Sequence, residues 1–254
     1  MTALRLEHVG VVRGGRSVVR DVTIDVPLGQ VTGLLGPNGA GKSSLALAIS
    51  GLLRSSGSIR LGDQRIDNRS PDRVRAAGVA VVPEGRRLLG DLSVADNLVA
   101  ATFGRPKSEL KTANERTREL FPELDKRWEQ PAKSLSGGEQ QMVVLAMALA
   151  ARPKVLIIDE LSLGLAPIIV NRLVPTVRRV AEEGVGVLLI EQFAHVVLGL
   201  AADVYILEGS RIRFRGTAAE LTAQPDLLHA TYLLHDTGLL HDTGLLHDTG
   251  APER

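Results

Sequence analysis

Between an apolar run, Val31 to Leu35, and a helical pattern, Lys42 to Ile49, stand eight residues that fit G-x-x-x-x-G-K-[ST] in full: Gly36-Pro37-Asn38-Gly39-Ala40-Gly41-Lys42-Ser43. A glycine-rich turn from strand into helix lets main-chain N–H groups converge, and the helix N-terminus adds partial positive charge at the same point. Phosphate is the ligand such a turn suits. On this reading Gly36 to Ser44 cradle a nucleotide, Lys42 reaches its β- and γ-phosphates, and the Ser43 hydroxyl ligates Mg²⁺. The loop alone leaves kinases, GTPases and motor ATPases open, but nothing here resembles the N-K-x-D guanine reader of GTPases.

Composition removes other classes. The 254 residues carry 30 Lys+Arg against 29 Asp+Glu, too balanced for a chain whose main task is to coat nucleic acid or an anionic membrane. Seven aromatic residues are too few for base-stacking platforms in series, so no nucleic-acid partner is expected. With no cysteine there is no disulfide, no thiolate metal site and no cysteine nucleophile. The longest apolar run, Met142 to Ala151, is far short of the ~20 residues that span a bilayer. The opening MTALRLEHVG does not read as a secretory signal. A soluble product is expected, touching any membrane through a partner protein.

The pattern along the chain is that of an α/β fold. Alternation at Leu4, Leu6 and at Val22, Ile24, Val26 predicts short, half-buried strands. Continuous apolar runs at Val79 to Val82, Val155 to Ile158 and Val185 to Ile190 suit a parallel sheet covered on both faces. Helical patterns lie between them: Ser93 to Ala101, opened by a capping box from Ser93 to Asp96; Glu109 to Phe121; and Pro167 to Glu183, which Pro175 is expected to kink. Residues 205–207 and 211–215 predict a hairpin with Ile212 and Phe214 inward, and Thr217 to Glu220 cap a last short helix. From Leu233 to Gly250 the hexapeptide LLHDTG occurs three times, a period that suits neither helix nor strand. Residues 233–254 read as a mobile tail. Identical copies suggest tandem duplication rather than a His/Asp metal site. Without that tail the chain holds 29 basic against 25 acidic groups.

Two further motifs define the chemistry. In Val155-Leu156-Ile157-Ile158-Asp159-Glu160 a buried strand ends in carboxylates where α/β sheets place their ligands. Asp159 is suited to hold Mg²⁺ through water, and Glu160 to orient and deprotonate an attacking water. Ahead of it, Leu135-Ser136-Gly137-Gly138-Glu139-Gln140-Gln141 opens the apolar helix from Met142. At these residues the chain resembles the nucleotide-binding subunits of ATP-binding cassette (ABC) transporters, whose signature reads LSGGQ or LSGGE, with order and spacing matched over residues 1 to about 232.

The resemblance implies a P-loop NTPase (RecA-like) parallel-sheet core, an N-terminal antiparallel β subdomain and an inserted helical subdomain at about 88–150. It implies that Leu135, Ser136, Gly137, Gly138 and Glu139 meet the γ-phosphate of ATP held on an opposite subunit, two cassettes closing head to tail as a hetero- or homodimer. Val82-Pro83-Glu84-Gly85-Arg86-Arg87, Ser162-Leu163-Gly164-Leu165-Ala166-Pro167 and Ile190-Glu191-Gln192 are similar to the smaller ATPase subunit of branched-chain amino acid importers, with urea importers close behind. In most cassettes Glu84 is a glutamine near the catalytic Mg²⁺, Gln192 a switch histidine and Ala166 an aspartate. By the same resemblance Lys42, Glu84, Glu160 and Gln192 are catalytic, Ser43, Asp159 and Glu84 face the metal, and ATP and Mg²⁺ are the cofactors. The partners are permease subunits and, indirectly, an extracytoplasmic solute-binding protein, and the place of work is the cytoplasmic side of the inner membrane.

Departures mark the rival readings. Where an adenine-stacking ring is expected stands Arg13, whose guanidinium either stacks or is a solvated turn residue. Leu161 replaces a proline and Met147 an arginine. These three motivate one alternative, a regulatory cassette that binds ATP without turning it over; an ATPase of translation or DNA repair would need a second cassette or a coiled-coil insertion. His195 lies three residues past the switch position and is not expected to replace Gln192.

Overall fold

The computed structural model describes residues 2–104 and 106–230; the LLHDTG repeats lie outside them. Among the described residues the strands are β1 (Thr2–Arg13), β2 (Arg16–Pro27), β3 (Val31–Leu35), β4 (Ser55–Leu61), β5 (Gln64–Arg65), β6 (Val79–Val82), β7 (Val155–Asp159), β8 (Gly186–Glu191), β9 (Asp203–Glu208) and β10 (Arg211–Thr217). The α-helices are α1 (Lys42–Ile49), α2 (Pro71–Ala77), α3 (Val94–Ala101), α4 (Lys107–Leu120), α5 (Gly137–Ala150), α6 (Pro167–Glu182), α7 (Ala194–Leu198), α8 (Ala218–Thr222) and α9 (Pro225–Ala230).

Two sheets result. One is antiparallel, ordered β2-β1-β4-β5; the other runs β10-β9-β3-β8-β7-β6, parallel except for the β9–β10 hairpin at its edge. The parallel strands read as unbroken apolar runs because both faces are covered, and alternate residues serve different cores. Leu156 and Ile158 point into a core shared with α3, α5 and α6, whereas Val155 and Ile157 point into one shared with β1, β2 and α1.

The N-terminal strands differ from expectation. They are twelve residues each, joined at Gly14-Gly15, whose φ values of +56° and +74° fit a two-residue turn of the kind that matches strand twist. Register shifts within β1 break the strict alternation, so periodicity shows only parts of each strand. The helix openings also sort differently. Ser136 and Glu139 form a full capping box, as do Thr217 and Glu220. At Ser93 the box is half made: its Oγ accepts the Asp96 N–H at 3.0 Å, but the shorter Asp96 carboxylate accepts the Ser93 hydroxyl at 2.7 Å instead of its N–H. Helix α6 is continuous through Pro175, which lies on an exposed face beside exposed Asn171, the residue whose carbonyl loses its helical donor. The β9–β10 hairpin half-buries Ile212 and Phe214 as anticipated. Elements β4, β5, α2, α7 and α9, all weakly patterned, are additions to the sequence reading.

Candidate nucleotide site

Four parallel strands end at one edge of the six-stranded sheet, and each delivers a piece of the site. Register pairs Leu35 with Glu191, Asp159 with Ile190 and Val82 with Ile158. The phosphate loop after β3, the acids Asp159 and Glu160 at the end of β7, Gln192 after β8 and Glu84 after β6 therefore emerge side by side, at the carboxyl ends where open α/β sheets bind ligands. Glu84, Glu160 and Gln192 line one cleft of ≈ 450 Å³ with Arg13, Val18, Asn38, Gly39, Gly41, Lys42, Ser43, Ser44 and Leu163, while Asp159 is buried directly before Glu160.

Two glycines allow the loop its path. A Cβ on Gly36 would stand 2.2 Å from the Leu207 carbonyl oxygen, and one on Gly41, at φ +111°, would stand 2.2 Å from that of Val18. Ala40 is buried beneath the loop, while the carbonyls of Gly36 and Pro37 accept the Lys42 ammonium at 2.8 and 3.3 Å. Lys42 Nζ is also 3.5 Å from Glu160 Oε1, both side chains being nearly closed to solvent. Glu160 is held at φ +60°, a left-handed conformation that costs a non-glycine residue about 1–3 kcal/mol and clusters at functional sites. Its N–H donates to the Ile190 carbonyl at 2.9 Å, so the carboxylate is mounted on the sheet.

Asp159 is suited to a hard cation. Burial above all, opposed by the Ser43 hydroxyl and Lys42 and aided by the charges of Glu160 and Glu84, leaves its carboxyl pushed up to about 6. Its Oδ1 is buried without a hydrogen-bond partner. An orphaned carboxylate oxygen beside a serine hydroxyl matches the oxygen donors Mg²⁺ prefers, the remaining positions falling to phosphates and water. Among the described residues no three His, Cys, Asp or Glu side chains gather to hold a metal alone.

Other predicted residues lie elsewhere. Ser136, Gly137, Gly138 and Glu139 open α5 outside this cleft, with Ser136 exposed. Leu135 is buried in the core and Glu139 is engaged by the Ser136 N–H at 2.8 Å and by Arg127 at 3.0 Å, so both support the turn. Arg13 is exposed at the cleft rim beside Val18. His195 does not line the cleft, and burial lowers its pKa. Leu161 is fully buried, and Met147 is half-buried in a separate groove.

Two residues received no role from the sequence. The Glu191 carboxylate, fully buried, accepts the Ser162 N–H and hydroxyl, each at 2.9 Å. Burial pushes it up to about 7, the Ser162 N–H opposing and the Glu160 charge adding to that rise. Arg86 donates to the carbonyls of Leu163 and Gly164, both at 3.1 Å. Neither bond had a sequence signal, because the partners are 29 and 77 or 78 positions away.

A phosphate loop on a doubly covered parallel sheet, with acids at the end of the neighbouring strand and a capped signature helix, defines a nucleotide-binding subunit with the P-loop fold. The chain belongs to the ABC transporter family, whose model matches residues 19–162. It is 39% identical over 228 residues to the high-affinity branched-chain amino acid transport ATP-binding protein BraG of Pseudomonas aeruginosa, covering 89% of this chain and 98% of that protein. It is 32% identical over 225 residues to the lipopolysaccharide export system ATP-binding protein LptB of Escherichia coli K12, covering 87% and 93%. A crystal structure of a nucleotide-free ATP-binding cassette from an ABC transporter superposes with a TM-score of 0.83 at 23% identity, over 91% of this chain and 99% of that one, which supports the fold.

Proposed function

We propose that this chain hydrolyses ATP to drive an importer of branched-chain amino acids. The observation that carries the reading is the single cleft uniting Lys42, Ser43, Glu84, Glu160 and Gln192, in a chain similar to BraG along nearly all of both lengths. Lys42 neutralises the β- and γ-phosphates and the loop N–H groups position them. Ser43 and Asp159 would hold Mg²⁺, which would supply charge neutralisation at the transferred phosphoryl group. Glu160 takes a proton from the attacking water, and the Gln192 amide donates a hydrogen bond to the γ-phosphate without titrating.

A second subunit completes each site. Ser136 and the N–H groups of Gly137 and Gly138 form an anion site outside their own cleft, so they serve nucleotide held by a partner cassette. ATP favours the closed pair because it touches both subunits only there, and hydrolysis removes that preference. No helix among the described residues is long and apolar enough to cross a membrane. Force therefore passes through a protein interface. The groove bordered by Pro83, Arg87, Leu89, Ala101, Val144 and Met147, with Val99 and the 90% exposed Phe103 on nearby α3 and its following turn, suits a permease segment.

The test is ATP hydrolysis and uptake by the assembled complex with Glu160→Gln. Loss of the general base lowers turnover on the order of 10² to 10⁴ while ATP binding survives. A wild-type complex as slow as the variant would instead support the regulatory reading motivated by Arg13, Leu161 and Met147. The identity with LptB favours a second reading, a motor for lipid export. Uptake of labelled leucine by reconstituted vesicles separates the two, since a lipid exporter moves none.

A further inference from the structure

The segment that follows Glu160 is pinned from two sides. From the sheet, the buried Glu191 carboxylate holds the Ser162 N–H and hydroxyl. From the loop after β6, the Arg86 guanidinium holds the Leu163 and Gly164 carbonyls. The same guanidinium lies over the first residue of α5: a Cβ built on Gly137 would stand 2.8 Å from Arg86 Nη1 and 3.3 Å from its Cζ. Arg86 therefore joins three segments that sequence separates widely.

Its chemistry suits that position. The planar guanidinium fixes five N–H directions, so one nitrogen serves two carbonyls while the flat group packs on a residue with no side chain. An ammonium on a flexible stem reproduces neither feature. Arg86 sits at φ +48° immediately after Gly85 at φ +87°, a left-handed non-glycine conformation that its surroundings must hold in place. It does not line the nucleotide cleft.

Resting on the reading that two cassettes close around ATP, we propose that Arg86 is a positioning residue for hydrolysis, tying the loop after Glu160 to the signature turn Ser136 to Gly138. In a head-to-tail pair, the Glu160 and the Ser136 of one chain belong to different composite sites. A tie between them inside one chain makes the two sites close together. The path is continuous: β8 carries Glu191, Glu191 holds Ser162, the next two residues hold Arg86, and Arg86 packs on Gly137.

The experiment compares wild type, Arg86→Lys and Arg86→Ala in two settings. By hydrogen exchange on the full chain, Arg86→Ala speeds amide exchange in both 162–166 and 136–139 by about tenfold, with β3 unchanged. In the assembled complex with Mg-ATP, kcat falls about tenfold while the ATP Kd of the chain stays within about twofold, and Arg86→Lys restores only part of the loss. Unchanged exchange in either segment overturns the proposal, as does an unchanged kcat in an active complex. A Kd that weakens in step with kcat also overturns it, since Arg86 would then be contacting nucleotide. Should the wild-type complex hydrolyse no ATP, the transport-motor reading fails by itself, and the exchange comparison still decides whether Arg86 ties the two segments.

Discussion

Glu191 shows how one buried carboxyl records its surroundings in a pH profile. Its ionised form is disfavoured by burial and by the nearby Glu160 charge, which outweigh the two Ser162 hydrogen bonds and lift it from 4.5 to about 7. A folded-state value above the unfolded one means that the native chain binds more protons between those limits, so stability falls as pH rises from about 4.5 to about 7. Glu191→Gln removes that loss and keeps both bonds, its oxygen accepting the Ser162 N–H and its amide donating to the hydroxyl. Thermal unfolding of the variant is expected to match wild type at pH 4.5 and to exceed it at pH 8, at roughly 2–4 °C for each kcal/mol relieved. Parallel profiles at both pH values would show that the carboxyl is not held neutral. The residues whose chemistry is local were legible in the sequence: Lys42 and Ser43 from the loop pattern, Asp159 and Glu160 from an apolar run ending in acids. Glu191 and Arg86 were not, because their roles depend on strands and loops brought together by register and packing.

Among the elements, α5 carries the most information per residue. Its fourteen residues start at a Ser136–Glu139 capping box, and Gly138 allows close approach to α6, since a Cβ there would stand 2.6 Å from Ile169 Cγ2. Two substitutions at Ser136 separate capping from pairing. Ser136→Ala removes the acceptor for the Glu139 N–H and lowers stability by about 0.5–2 kcal/mol, read from denaturant unfolding. Ser136→Arg places bulk and charge where the proposed head-to-tail pair would receive the partner's nucleotide. With Glu160→Gln slowing turnover, light scattering with ATP should report dimers for Glu160→Gln alone and monomers for the double variant. Dimers in both would contradict the head-to-tail arrangement. The S-x-x-E pattern of this box is readable from sequence alone; the S-x-x-D variant at Ser93 makes only half a box, because aspartate is one methylene too short to reach the Ser93 N–H.

For the whole molecule the question is how a chain with no membrane-spanning helix among its described residues is joined to transport. Leu89 and Phe103 are 46% and 90% exposed beside the groove near Met147, an apolar surface with no function in the nucleotide cleft. Replacing both by Asp is expected to release the chain from permease-containing membranes in a sedimentation assay while leaving ATP binding intact. Retention in the membrane fraction would place the interface elsewhere.

The parallel-sheet class, the phosphate loop, the acidic strand and the signature turn were all determined by the sequence itself. Each is a short pattern whose spacing is set by a strand or helix period and whose chemistry needs no distant residue. The strand order, the twelve-residue reach of β1 and β2, and the convergence of Arg13, Glu84, Glu160 and Gln192 on one cleft were decided only by tertiary structure. The physical reason is the same in each case. Pairing register and packing place side chains that are far apart along the chain, and at Arg86 one guanidinium joins three loops that no local pattern connects.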